Sequence, residues 1–167
     1  MSLITPKYIT QDIATAAVAM ATKLVLGSGI AKRGDCHVVV MVPAMKDDAP
    51  DYPDYPHYAI FAEVIYEDSF GDVGNWEHPY DNIARCKALQ LWHDRNDGRA
   101  GSVPHLLFSG DTPYWGGVKR EGIVVACSGV EPYFDKLISG ITADCIIALA
   151  QHAYENDKQR VGLNFLL

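Results

Sequence analysis

Lys87 is the polar residue that says most about chemistry in this chain. It falls between Ile83 and Leu91 at i±4, inside an apolar helical stripe, and lysine is seldom buried without a partner. Two readings follow. The stem lies along apolar surface with its ammonium in water, or the ammonium is aimed at an anionic ligand or at a buried carboxylate such as Asp144 or Glu63. Asp144 and His152 fall on or near the inward arc of the last helix, where a structural pair and an acid–base pair are alternatives. The segment SGDTPYWGG sets Asp111, Tyr114 and Trp115 among glycines. Glycine allows tight backbone and close ligand approach, and the two rings can wall a pocket or form a hairpin tip buried in an oligomer. A ligand site is therefore expected between the Lys87 helix and the 110–117 turn, built from Lys87, Asp111, Tyr114 and Trp115. If the site is catalytic, Lys87 is expected to act with Asp144 or Asp111.

Other chemistries lack their spacing. The six histidines form no H-x-x-x-H or H-E-x-x-H pattern, so no metal centre is expected. The Gly-rich turn carries no GKS or GKT and is not a phosphate-binding P-loop. Ser128-Gly129 is not a G-x-S-x-G nucleophile elbow. Cys36, Cys86, Cys127 and Cys145 form no C-x-x-C pair. Cys127 sits in a β-run, where a free cysteine packs as a small hydrophobe.

The elements that must position these residues follow from periodicity. Thr10 caps a helix whose apolar residues Ile13, Ala17, Met20, Ala21 and Leu24 share one face, with Gly27 at its end. Val38 to Val42, closed by Pro43, reads as a strand buried on both faces. The segment KDDAPDYPDYP has too much proline and acid for either regular element and reads as an extended loop. Tyr58 to Tyr66 alternates as a strand, with Glu63 and Glu67 on its wetter face. Pro79 opens a helix with Tyr80, Ile83, Ala84, Ala88 and Leu91 inward, ended by Asn96-Asp97-Gly98. Val103 to Phe108 and Ile123 to Cys127 read as strands, with a Gly-rich turn between them. Pro132 opens the last helix, with Phe134, Leu137, Ile138, Ile141, Cys145, Ala148 and Leu149 inward. The order helix, strand, strand, helix, strand, strand, helix implies an α+β domain with a largely antiparallel sheet.

The chain has 167 residues, 49% of them hydrophobic, and a net charge of −7. That length and apolar content build one domain over residues 1–167. The acidic balance disfavours nucleic acid as a partner, and Lys32–Arg33 and Lys119–Arg120 read as exposed turns. No stretch of about 18 apolar residues is present to span a membrane. The N-terminus has no secretory pattern. Unpaired cysteines fit a cytoplasmic location.

In their order along the chain, these segments resemble the GlcG/HbpS-like family, which includes the C-terminal domain of PduO-type proteins. DIATAAVAMATKL followed by VVVMV is similar to the family's Ala-rich helix and strand. Ala84-Arg85-Cys86-Lys87-Ala88 resembles its A-x-x-K-A element. GDTP at 110–113 stands where the family has Gly-Gly-x-Pro, with Asp111 in place of the second glycine and an alternative Gly-Gly at 116–117. REGIVVACSGV and FDKLISGI resemble its D-G-x-V-V-G-A-x-G-V strand and D-x-x-I-A-x-A-G helix. The resemblance implies a profilin-like layered fold, a five-stranded antiparallel sheet with helices packed on it. It implies a small-molecule-binding or accessory protein, homo-oligomeric, with haem or a small organic acid as ligand. No position here matches a haem-ligating residue. An enzyme on the same scaffold and a purely structural assembly subunit are the competing classes. The apolar tail VGLNFLL and the outward Leu89 also point to assembly.

Overall fold

The run VVVMV forms the centre of the molecule because β-branched side chains suit a pleated strand covered on both faces. In the computed structural model, which describes residues 3–46, 59–96 and 103–166, every residue from Val38 to Val42 is buried. The elements run β1 (Leu3–Ile4), α1 (Gln11–Gly27), β2 (Cys36–Lys46), β3 (Phe61–Phe70), α2 (Tyr80–Trp92), β4 (Gly117–Arg120), β5 (Ile123–Ser128) and α3 (Pro132–Asn156). β2 pairs with β3 on one side and with β5 on the other, and β4 pairs with β5. β1 joins the far end of β2, beyond the stretch that β5 covers. All these pairings are antiparallel. The fold is α+β, three helices packed on a five-stranded open sheet.

Alternation along β2 and β5 divides the core between the two faces. Cys36, Val38, Val40, Val125 and Cys127 face α1 and α3, while Val39, Met41, Val124 and Ala126 face α2. Full burial of a valine is worth roughly 1.5–3 kcal/mol, so this doubly covered strand pair anchors both layers. α1 presents Ala14, Ala17, Val18 and Ala21, and α3 presents Ser139, Gly140, Thr142 and Ala143. Small side chains allow the two helices to pack closely. The buried Thr22, Ser139 and Thr142 hydroxyls donate to helical carbonyls four residues back, which satisfies them without leaving the helix.

Several sequence expectations need correction. No strand forms at Val103–Phe108, where Pro104–Leu106 is a turn of 3₁₀ helix. The missing strand is Gly117–Arg120, so Lys119–Arg120 is strand and not turn. β2 continues through Pro43 to Lys46. Pro43 pairs only with Ala62 of β3, at a point where β5 has already ended, so a lost N–H is tolerated. Met20, Leu24, Leu137 and Ala148 are exposed and not inward; the buried stripes of α1 and α3 are rotated away from them. The helix α1 ends one residue before Ser28, and Gly29 takes the left-handed conformation that follows it. The acid- and proline-rich loop beyond Lys46 and the Asp97-Gly98 stop lie outside the described residues. No helix among the described residues is long and apolar enough to cross a membrane.

Candidate functional site

Lys87 leaves α2, on one face of the sheet, and reaches past the end of β5 toward the first turn of α3, on the other face. Its residue is 1% exposed. The ammonium donates to the Cys127 carbonyl at 2.8 Å and to Asp135 Oδ2 at 3.3 Å. Asp135, 2% exposed, also accepts the Val130 N–H through Oδ1 at 3.0 Å. A buried charge needs such partners, since desolvation otherwise neutralises it. Burial raises the Asp135 carboxyl to about 6, against the opposing pull of Lys87 and of the Val130 N–H.

Two features close this end of the fold. Gly116 has φ +131, and a Cβ there would stand 2.5 Å from Asp135 Cβ and 3.1 Å from Lys87 Nζ. Only glycine lets the backbone lie against the ion pair. The Gly116 carbonyl in turn accepts the Ser139 hydroxyl and the Cys127 N–H. Gln90, fully buried on α2, grips the preceding turn as a strand would. Its Oε1 accepts the Thr112 N–H at 3.0 Å and its Nε2 donates to the Thr112 carbonyl at 3.1 Å. Gln90 thereby fixes where Tyr114 and Trp115 project.

A cavity of about 170 Å³ lies over the pair, lined by Lys87, Asp135, Tyr80, Tyr114, Trp115 and Ser128 among others, with the exposed Arg33 and His78 also on its wall. Ser128 is 4% exposed, and its hydroxyl has no hydrogen-bond partner among the described residues. Lys87 likewise has a third N–H beyond its two acceptors. Apolar walls with a few convergent polar groups are the usual character of a small-molecule site. A broader depression of about 570 Å³ beside β1 and β3 is lined by Lys7 and Glu63, neither of them buried. Among the described residues, no three His, Cys, Asp or Glu side chains converge as metal ligands.

The structure brings Lys87, Tyr114 and Trp115 together around one cavity. It places the other sequence candidates elsewhere. Asp111 turns toward Arg95, with which it pairs, and accepts the Phe108 N–H. Asp144 is an exposed carboxylate 2.6 Å from Arg120, and His152 is exposed. Neither Asp144 nor Asp111 can act with Lys87, and Glu63 lies at the other depression. The carboxylate partner is Asp135. Sequence reasoning did not single it out, although it is the second residue of the FDKLISGI segment. Ser128, Gln90 and Arg33 were missed because nothing in their local pattern marks them.

Comparison of the chain with protein-family models, with curated proteins and with solved structures found no match.

Proposed function

We propose that this chain is a small-molecule-binding protein of the GlcG/HbpS-like type, with a profilin-like fold, whose ligand is a small organic acid. The observation that carries this reading is the Lys87–Asp135 pair on the wall of a cavity that Tyr80, Tyr114 and Trp115 also line, beside a Ser128 hydroxyl that has no hydrogen-bond partner among the described residues. Lys87, Arg33 and Ser128 supply donors for a carboxylate. The cavity holds about 170 Å³. Drug-sized ligands occupy roughly 300–1,000 Å³. Haem, a far larger macrocycle, would have to extend well beyond this cavity, whose volume suits a short organic acid. The exposed Leu89 and the run of exposed apolar residues Val161, Leu163 and Leu166 in the C-terminal tail support a homo-oligomer.

Calorimetric titration with a panel of short mono- and dicarboxylates tests the reading. Saturable binding is expected, weakened several-fold by Arg33→Ala, since Arg33 is half exposed and also pairs with Glu77 at 3.5 Å, and an exposed ionic contact is worth up to about 1 kcal/mol. Haem titration followed in the Soret region is expected to give no saturable shift. Saturable haem binding without carboxylate binding would reverse the assignment.

A further inference from the structure

We propose that the same cavity catalyses proton transfer beside a carbonyl, the enolisation of a short 2-oxo acid, with Asp135 as base and Lys87 as electrophile. This rests on the organic-acid reading and adds a reaction to it. The geometry supplies each role. The Cys127 carbonyl holds the ammonium at 2.8 Å, while the contact to Asp135 Oδ2 is 3.3 Å, longer than the ~2.7–2.9 Å of a tight ionic hydrogen bond. Lys87 is thus anchored by the backbone, and Asp135 is held loosely enough to accept a proton. Asp135 Oδ2 accepts from Lys87 and Oδ1 from the Val130 N–H, the Cys127 thiol is a third partner of the carboxyl, and of about four acceptor sites on a carboxylate one is left for substrate. The pair brings little stability as such, because hydrophobic residues of the same shape avoid its desolvation cost.

In the step, the substrate carboxylate lies at Arg33 and Ser128, and its 2-oxo oxygen accepts the third N–H of Lys87. Asp135 takes a proton from C3. The C3–H electron pair becomes the C2=C3 bond, and the carbonyl π pair moves onto the oxygen, where the ammonium stabilises it. The proton then returns from Asp135 to C3, or passes to the enolate oxygen to give the enol. No oxidant, reductant or co-reactant is consumed. A carboxyl that burial holds near neutrality is a serviceable base at that pH.

The experiment uses the full chain with pyruvate in D₂O, following loss of the methyl proton signal by NMR, with pyruvate binding measured in parallel by calorimetry. Wild type is expected to exchange well above buffer. Asp135→Asn is expected to lose at least ~100-fold of that rate while still binding pyruvate. Because Asp135→Asn leaves Lys87 buried without a counter-charge, Arg33→Ala and Ser128→Ala provide a second route that leaves the ion pair intact. Both are expected to raise KM for exchange more than they lower kcat. Wild type that binds pyruvate but exchanges no faster than buffer overturns the catalytic role and leaves the binding reading standing. Absence of both binding and exchange defeats both.

Discussion

Removing one member of the Lys87–Asp135 pair should cost far more than removing both, and the cost should depend on pH. Asp135 is about two units above its ordinary value of 3.8. At 1.4 kcal/mol per unit this is about 3 kcal/mol of stability present at low pH and absent at pH 7. The sign follows from proton counts. Between pH 4 and 6 the native carboxyl holds more proton than the unfolded one, so stability falls as pH rises through that window. In Lys87→Met the attraction that opposes burial is gone, and the carboxyl rises further. Its destabilisation should reach about 3–5 kcal/mol at pH 8, the usual cost of orphaning a buried charge. At pH 5, where the carboxyl is protonated, it should shrink by a few kcal/mol. The double variant Lys87→Met/Asp135→Leu should recover most of the loss at pH 8. Urea unfolding of the wild type, Lys87→Met, Asp135→Leu and the double variant between pH 5 and 8 reads all of this. Single variants that cost under 1 kcal/mol with no pH dependence would refute the premise that the pair is sealed from water.

Carbon-13 NMR of the Asp135 carboxyl should give a titration midpoint near 6 in the wild type, and a midpoint near 4 would show a hydrated group. Gly116→Ala should destabilise the fold and abolish ligand binding, since its Cβ meets Asp135 and Lys87; a variant with unchanged urea midpoint and affinity contradicts the close approach. Gln90→Leu should cost about 2–4 kcal/mol, because two buried Thr112 backbone groups lose partners, and a neutral result would mean that the turn is held otherwise. Light scattering should give a mass that is a multiple of 18.4 kDa, and a monomer at micromolar concentration would remove the oligomer from the proposal.

Periodicity alone placed α1, α2, α3, β2 and β5, because each is a local pattern of apolar residues closed by a cap or a proline. It failed at Val103–Phe108, whose apolar run lacks a strand neighbour. It also failed at Gly117–Arg120, where the Gly116-Gly117 pair reads as turn although Gly117 pairs with Ala126. The buried stripes of α1 and α3 are rotated away from the faces that their large apolar residues mark. Close packing of the two helices instead favoured Ala, Gly, Ser and Thr. Lys87 was legible as an anomaly, a cation where the helix should be apolar, but its partner was not. Asp135 is 48 residues away and belongs to the opposite layer of the sheet. The two meet only because β5 ends there and Gly116 leaves room for both. A pair interaction between layers leaves no mark in local sequence, since no period of helix or strand connects its members. The chain by itself determined which residues were out of place; the packing of α2 and α3 around the end of one strand decided what they face.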